Sequence, residues 1–257
     1  MNNIEKIRND AYLYYASSGI HKENIRIDNI SVRYYEFELD EKNILWTDNL
    51  YIPIRYIYMR DKCLMLFCLN RHKDLLLDVI KKFQDNLFSQ KCIDYIYSHI
   101  SDDMRNLFNI NVLSDINIHS NYGLQYAISE KSELNLFAKQ NTTINFDETT
   151  KYDVICKYID VQGLCYGTLI DDKIVSLASW NGRPDDGIRE IGVGTHEDYR
   201  NRGYAISNVV AIAEDIINAG KIAIYNTFKN NIVSQKTAIA AGLSEIGKVQ
   251  MFWFKKE

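Results

Sequence analysis

The sequence predicts an α/β protein with a mixed central sheet flanked by helices, and two observations support this class. Segments rich in β-branched and aromatic residues are interleaved with segments whose apolar residues recur at helical spacing. Within residues 189–228, a strand, a loop, an amphipathic helix and a second strand follow one another. Such a unit joins parallel neighbours through a right-handed crossover. Two antiparallel strands precede it, so the sheet is expected to be mixed.

The first half of the chain predicts a small α/β domain over residues 1–118. An amphipathic helix over Ile4–Tyr15 opens the chain, and residues 26–69 have the pattern of extended strands, with a hairpin turn at residues 60–62. Apolar residues at helical spacing predict a helix over residues 72–89. A second helix over Lys91–His99 and a third beginning at Ser101 follow it.

The second half, residues 119–257, predicts a second domain that begins with several short elements. Gly123–Ile128 has the pattern of a strand and Ser132–Lys139 that of a helix, while residues 152–158 are either a helix or a buried segment. Leu164–Ile170 and Lys173–Trp180 are predicted strands joined by a turn of two aspartates. These are the two antiparallel strands ahead of the central one.

A helix is predicted from about Asn201 to Ala219, and its polar residues form one narrow stripe at helical period. The other faces are apolar or small, so the helix is expected to be buried on most sides. Gly220 fits its end, and residues 221–228 begin the next strand.

Composition excludes several classes of protein. A formal net charge of −4 argues against a general nucleic-acid binder, which requires a broad basic face. The five cysteines form no CxxC pair and leave an odd residue, which favours buried reduced thiols over a disulfide framework or a metal site. No apolar run approaches the roughly 20 residues of a membrane helix, and no signal peptide is apparent at the start, so a cytoplasmic protein is expected.

Residues 189–205 are predicted to form the centre of the functional site, as a strand, a short turn and the start of a helix. Gly192 and Gly194 fall on one face of the strand, which suggests that a ligand or another backbone lies close to it. The turn places Arg200, Arg202 and Gly203 where a helix begins. Free amides and the helix dipole favour an anion such as a diphosphate there.

Two short motifs in this half resemble those of one enzyme family. Arg200, Gly203 and Ala205 match Arg/Gln-x-x-Gly-x-Gly/Ala, and residues 231–243 match Asn-x-x-Ser/Ala followed by an apolar helix and Gly-Phe/Leu. The matching residues of the second motif are Asn231, Ser234, Gly242 and Leu243. On these motifs the last 140 or so residues resemble the GCN5-related N-acetyltransferases (GNAT). The residues that fill these motifs are similar to those of the branch that contains zwittermicin-resistance acetyltransferases.

The resemblance implies the acyl-CoA N-acyltransferase fold and acetyl-CoA as co-substrate, with no metal. In that fold the central strand splays from the next one, and the pantetheine arm lies in the gap against unpaired backbone groups of residues 192–195. The Val193 N–H is then the candidate that stabilises the oxyanion, and the diphosphate meets the amides of about residues 202–205. The implied cofactor-binding residues are Val193, Gly194, Thr195, Arg200, Asn201, Arg202, Gly203, Tyr204, Ala205, Asn231 and Ser234.

Glu190 is the candidate general base, because burial on a strand beside apolar neighbours raises the pKa of a carboxyl toward neutrality. The alternative is a structural ion pair with Arg189 or Arg183. The turn histidine, His196, is expected to be a surface residue.

Many relatives carry a tyrosine in the second-motif helix that protonates the leaving thiolate, and by register that position here is Ala238. The candidates to replace it are Ser234, Tyr204 and Tyr225. Because a thiol has an ordinary pKa near 8.5, the thiolate leaves without strict need of an acid.

The sequence therefore predicts transfer of an acetyl group from acetyl-CoA to a primary amine of a small molecule. Two alternatives stay open. One is a CoA-binding regulatory module without turnover, which the alanine at position 238 suggests; the other is a protein acetyltransferase. No nucleic-acid or membrane partner is expected.

Overall fold

A computed structural model describes residues 20–36, 45–47, 50–59, 63–107, 119–146, 153–155, 165–181 and 188–255. The helix expected over Ile4–Tyr15 lies outside these residues. The strands are β1 (Ile20–Ile27), β2 (Ile30–Glu36), β3 (Leu45–Thr47), β4 (Leu50–Met59), β5 (Cys63–Cys68), β6 (His119–Ile128), β7 (Thr143–Phe146), β8 (Asp153–Val154), β9 (Cys165–Ile170), β10 (Lys173–Asn181), β11 (Ile188–Thr195), β12 (Ile222–Phe228) and β13 (Ser244–Lys255). The α-helices are α1 (Lys73–Phe83), α2 (Gln90–Leu107), α3 (Tyr204–Asn218) and α4 (Ile232–Ala241).

The chain divides into two compact units. Among the described residues, one unit holds residues 20–123 together with Gly247 and the residues after it, and the other holds Leu124–Ile246. The domain boundary predicted between residues 118 and 119 stays a prediction. Both units combine strands and helices, as the predicted mixed α/β class requires.

The unit of residues 20–123 contains a mixed sheet whose most buried strand is β5. This strand pairs in parallel with β2 and antiparallel with β4, and all six of its residues are buried. A continuous apolar run is what a strand covered on both faces requires. Helix α1 adds Leu76, Val79, Ile80 and Phe83 to the core of the unit.

Two helix predictions in this unit need correction. The helix expected over residues 72–89 ends at Phe83, because Gln84 turns to a φ of 39° and a 3₁₀ turn follows. The two helices expected around Lys91–His99 and from Ser101 are the single helix α2. Ile100 is fully buried and continues the apolar spacing of Cys92 and Ile96, so nothing interrupts the helix between them.

The unit of Leu124–Ile246 contains the strands that position the site, in the order β6, β12, β11, β10, β9 and β7, with β8 beside β10. Strand β10 pairs antiparallel with both β9 and β11, and β11 pairs in parallel with β12. The predicted turn of two aspartates joins β9 to β10, with Asp171 and Asp172 at φ of 47° and 59°. Such values suit a tight hairpin turn.

Helix α3 supplies more of the core of this unit than any other described element, through five buried apolar residues, Val209, Val210, Ile212, Ala213 and Ile216. It begins at Tyr204 rather than at about Asn201. Ser207 and Asn208, which belonged to the predicted polar stripe, are fully buried. Burial on most sides is confirmed, but the stripe itself does not face solvent at these two positions.

The segment Ser132–Lys139 was predicted as a helix and is instead two separate 3₁₀ turns, Lys131–Glu133 and Leu136–Ala138. Asn135 lies between them and binds the end of α4: its backbone N–H donates to the Ala241 carbonyl at 3.1 Å and its side-chain Nδ2 donates to the Ala240 carbonyl at 2.9 Å. These tertiary bonds fix Asn135 outside helical geometry, so the helix does not form.

Cys63, Cys68, Cys92 and Cys165 are buried thiols, as predicted, and the fifth cysteine lies outside the described residues. Across the part of the chain that the structure describes, no helix is both long and apolar enough to cross a membrane.

Candidate functional site

The two edges of strand β11 are paired to different extents. Toward β10, the antiparallel register runs from Glu190 to Thr195. Toward β12, the parallel register covers only Ile188, Arg189 and Glu190, which face Ile222, Ala223 and Ile224. Over the described residues, the β12 side of β11 therefore has no strand pairing beyond Glu190, and the two strands separate there.

Backbone directions place the Val193 N–H on the unpaired side. The N–H of His196 donates to the Val175 carbonyl of β10 at 2.9 Å, and the Gly194 carbonyl accepts a bond from the Ser176 hydroxyl of β10 at 3.1 Å. Backbone groups of successive residues in a strand point to opposite edges. Since those of residues 194 and 196 point to β10, those of Val193 point to the β12 side, where ladder pairing has ended.

Gly192 leaves open space beside this edge. A Cβ placed on Gly192 meets no heavy atom within 4 Å. Side chains alternate along the strand, so Gly192 lies on the same face as Glu190 and Gly194, while Ile191 and Val193 pack against the core on the other face. Among the described residues, the face of the strand that carries Glu190 is therefore open at Gly192.

The turn after β11 is held in an unusual backbone conformation. Asn201 has a φ of 62° and Gly203 a φ of 80°, in the left-handed region that few residues other than glycine and asparagine adopt. Gln140 supports the turn, since its Nε2 donates to the Arg202 carbonyl at 3.0 Å. The φ of Gly203 favours glycine there, and a Cβ on it would lie 2.8 Å from that Nε2, so the Gln140 side chain would have to move.

The first turn of α3 presents backbone N–H groups without a side-chain cap, because Gly203 occupies the N-cap position. The first bond within the helix is from the Ser207 N–H to the Gly203 carbonyl at 3.0 Å. The N–H groups of Tyr204 to Ile206 precede it and point out of the helix end. With the helix dipole, they form an environment that favours an anion.

Arg200 and Arg202 are both exposed in this turn. Arg200 donates through Nε to the Thr195 carbonyl at 3.3 Å, and Arg202 donates through Nη2 to the Asp198 carbonyl at 3.1 Å. The Arg202 guanidinium also lies 5.2 Å from the centre of the Tyr199 ring. These contacts keep two positive charges beside the start of α3.

Helix α4 begins at the second predicted motif. The Asn231 side chain caps this helix, since its Oδ1 accepts a bond from the Ser234 N–H at 3.1 Å. The Ser234 hydroxyl in turn lies 2.8 Å from the Tyr225 hydroxyl on β12. Tyr225 follows Ile224, the last residue of β12 that pairs with β11. The structure thus joins two of the three candidate proton donors at the point where the strands separate.

The electrostatics of this pair follow from burial. Burial raises the pKa of the Tyr225 phenol, and the bond with Ser234 lowers it in part. The phenol therefore keeps its proton at neutral pH and is able to donate it. Ala238 is fully buried in the core beneath, so that position offers no side chain to the site.

Glu190 is half-buried, and its Oε1 accepts a bond from the Asn226 side chain on β12 at 2.9 Å. Arg189, a candidate partner for it, is buried with its guanidinium 4.4 Å from the Trp180 ring centre, and it donates to the Ile188 carbonyl at 2.8 Å. The other candidate partner, Arg183, lies outside the described residues. His196 lies in the turn, 3.6 Å from the Asp198 carboxylate.

The structure therefore brings together the predicted residues 193–195 and 200–205 as one continuous strand end, turn and helix start. Their assignment to a cofactor stays a prediction. Sequence reasoning missed Gln140, Ser176 and Asn208, which support this region from other elements. No local pattern marks them, because each bond joins residues 18 or more positions apart.

Comparisons with known proteins complete the description. No protein-family model and no curated protein matches the chain. Among solved structures, it is similar to a GCN5-related N-acetyltransferase-like protein from Streptococcus suis 89/1591, with 14% identity, a TM-score of 0.45, and 98% of this chain and 99% of that chain covered. It is also similar to a GCN5-related N-acetyltransferase from Kribbella flavida, with 10% identity, a TM-score of 0.43, and 100% and 97% covered.

A third similar structure is an acetyltransferase from the GNAT family from Colwellia psychrerythraea. The identity is 13% and the TM-score 0.34, and the match covers 60% of this chain and 62% of that protein, which is less than two thirds of its length. These three solved structures all carry acetyltransferase names of the GCN5-related family.

Proposed function

We propose that this chain is an acetyl-CoA-dependent N-acetyltransferase that acts on a primary amine of a small molecule. The observation that carries the proposal is the separation of β11 from β12 after Glu190. It leaves an opening beside the Val193 backbone, and a helix start with two arginines follows on the same chain segment.

The chain's own residues fit the parts of such a co-substrate. Amide groups of a pantetheine arm are able to satisfy the backbone of β11 on its β12 side, as an added strand does. The space beside Gly192 is open to ligand atoms, since a Cβ placed there meets no heavy atom within 4 Å. The N–H groups at the start of α3, together with Arg200 and Arg202, suit a diphosphate.

The proposed chemistry assigns one role to each group. Acetyl-CoA supplies an acetyl thioester. Glu190, on the face of β11 that is open at Gly192, takes the proton that the amine must lose before its nitrogen attacks the thioester carbon. The Val193 N–H donates to the oxygen that gains charge. As the new C–N bond forms and the C–S bond breaks, the nitrogen releases its second proton to water and the thiolate accepts a proton from Tyr225, which regains one from water through Ser234.

Tyr225 is chosen as the proton donor over Ser234 and Tyr204 for two reasons. Tyr225 lies at the point where β11 and β12 separate, and Ser234 is placed to pass a proton to it through their 2.8 Å contact. Tyr204 lies in the first turn of α3, among the groups assigned to the diphosphate. This pair takes the place of the tyrosine that the resemblance expects at Ala238.

The first experiment is calorimetric titration of the protein with CoA and with acetyl-CoA, followed by release of free thiol from acetyl-CoA in the presence of a panel of small amines. Micromolar binding of both ligands and amine-dependent thiol release are expected. Absence of binding to either ligand overturns the proposal.

The second candidate function is a CoA-binding regulatory module without turnover. The buried alanine at position 238 favours it, because the usual proton donor is missing. Binding without thiol release across the whole panel, with Glu190→Gln leaving binding unchanged, supports this candidate instead. Acetylation of a peptide lysine but of no small amine supports a protein acetyltransferase.

Three finer assignments belong to the same proposal. We place the chain in the branch resembling zwittermicin-resistance acetyltransferases, on the wording of the two motifs. We propose a cytoplasmic location, where acetyl-CoA is available to it. We propose no nucleic-acid or membrane partner, in line with the net charge of −4.

A further inference from the structure

A buried network of uncharged polar side chains connects α3 to the neighbouring strands. Its centre is Asn208, which is fully buried. The Asn208 Oδ1 accepts bonds from the Thr143 hydroxyl at 3.2 Å and the Thr168 hydroxyl at 3.3 Å. Its Nδ2 donates to the Ser176 hydroxyl oxygen at 3.0 Å. Three strands, β7, β9 and β10, are thereby tied to one residue of the helix.

From Ser176 the network reaches the end of β11. The Ser176 hydroxyl donates to the Gly194 carbonyl at 3.1 Å, and its oxygen lies 2.8 Å from the Thr195 hydroxyl. A hydroxyl has one proton and two lone pairs. Ser176 therefore donates to Gly194 and accepts from both Asn208 and Thr195, which uses its full capacity.

The same network also supports the turn before α3. The Ser207 hydroxyl contacts the Thr143 hydroxyl at 2.5 Å and accepts a bond from the Gln140 N–H at 2.7 Å. Gln140 then donates through its side chain to the Arg202 carbonyl. One connected set of buried and half-buried groups thus holds both the end of β11 and the start of α3.

These bonds act where β11 has the least support. Over the described residues, the strand beyond Glu190 is paired on its β10 edge alone, and Gly192 and Gly194 contribute no side-chain packing. We propose that Asn208 and Ser176 are positioning residues that fix the Gly194–Thr195 end of β11, and with it the Val193 N–H, at a set distance from the start of α3. The catalytic consequence rests on the proposed function, whereas the structural one does not.

The test compares Ser176→Ala with Thr168→Val in the full chain. Both changes remove one buried hydroxyl bonded to Asn208, but only Ser176 is bonded to β11, so Thr168→Val is the matched control. Residue-resolved hydrogen exchange of the ligand-free protein is followed by NMR at the Gly192 and Gly194 amides. We expect exchange to be about tenfold faster in Ser176→Ala and within about twofold of the unchanged protein in Thr168→Val.

A second measurement uses catalysis. In Ser176→Ala, we expect kcat to fall about tenfold while the Kd of acetyl-CoA changes less than about threefold; Thr168→Val keeps both values. If Ser176 has a purely structural role, both variants lose a similar few degrees of melting temperature and show equal amide exchange rates in β11. Equal exchange at Gly192 and Gly194 in the two variants overturns the proposal.

If Ser176→Ala does not fold, Ser176→Cys replaces it, because a thiol fills similar space and is a weak donor. The exchange measurement needs no ligand, so it decides the positioning role even where no amine is acetylated. Failure of acetyl-CoA to bind, with selective loosening of β11 still observed, contradicts the proposed function and leaves the positioning role supported.

Discussion

Strand β11 has two edges with opposite organisation. The β10 edge combines a register from Glu190 to Thr195 with side-chain bonds from Ser176, and the β12 edge ends its pairing at Glu190. Backbone groups inside a sheet normally satisfy one another, so an edge that stops pairing inside a folded unit is costly to leave bare. The difference indicates that the β10 edge supports the strand, and the β12 edge is the one that the proposed function assigns to the co-substrate.

The largest effect is expected from filling the space at Gly192, on the face of β11 that carries Glu190 and beside the edge where pairing with β12 has ended. Gly192→Phe adds a ring where a Cβ has no neighbour within 4 Å, so the protein is expected to fold and the opening to be blocked. We expect kcat/KM for acetyl transfer to fall at least about hundredfold, which corresponds to ~2.7 kcal/mol. Gly192→Ala is the control and is expected to stay within about threefold. Full activity of the phenylalanine variant contradicts the assignment of the opening.

The next effect concerns the first residue of β12 beyond the paired region. Tyr225→Phe keeps the ring and its packing but removes the hydroxyl that contacts Ser234. We expect kcat to fall about 10- to 100-fold with little change in the Kd of acetyl-CoA, because the donor acts only as the thiolate leaves. Steady-state kinetics beside calorimetry measures both. A rise in Kd with unchanged kcat assigns the hydroxyl to binding instead.

A smaller effect is expected in the turn that follows β11. Gly203→Ala places a Cβ 2.8 Å from the Gln140 side chain at a φ of 80°, whereas Gly220→Ala meets no atom within 4 Å at a φ of 71°. Both variants lose about 1 kcal/mol of unfolding free energy through backbone strain. Only Gly203→Ala is expected to weaken acetyl-CoA binding, by about tenfold. Equal acetyl-CoA binding by the two variants contradicts the assignment of this turn to the co-substrate site.

The smallest effect is expected from a pair of ion pairs between α3 and the segment of residues 131–139. Glu214 of α3 lies 2.5 Å from Lys131 and 3.2 Å from Lys139, and the bond with Lys131 above all holds the pKa of the Glu214 carboxyl below its ordinary value. The folded state therefore gains stability above the ordinary carboxyl pKa and loses it as pH falls through the lowered one.

Glu214→Gln is expected to cost about 0.5 kcal/mol at pH 7, since the pair is partly exposed, and less as pH falls below about 4. Urea unfolding at pH 7 and pH 3 measures the difference, and acetyl-CoA binding serves as the control, expected to be unchanged. A cost that grows toward low pH contradicts the stated direction of the pKa shift.

Local patterns were sufficient for strands β9 to β12, the hairpin turn at Asp171 and the parallel unit of β11, α3 and β12, because period, turn residues and capping glycines are properties of neighbouring residues. The sequence also marks the strand end at which β11 stops pairing with β12, since two glycines on one face and a basic turn are visible without the fold; the assignment of a site to it stays a prediction. The separation of β11 from β12 was expected from the family resemblance, and the paired registers confirm it.

Contacts between distant residues account for what the sequence did not show. The segment at Asn135 fails to form a helix because of bonds to Ala240 and Ala241, more than a hundred residues away. Ser207 and Asn208 have the spacing of a solvent-facing stripe. They are buried because their side chains bond to hydroxyl groups on three neighbouring strands, which the local sequence does not show. Strand β13 was not predicted at all.

The network around Asn208 contains hydroxyl and amide groups and no ionisable ones. Its hydrogen bonds therefore persist across the range in which carboxylates and amines titrate, and the end of β11 keeps its place there. A bell-shaped pH profile of the reaction would then record proton gain and loss by the reacting groups themselves, which makes such a profile a direct means to find the base.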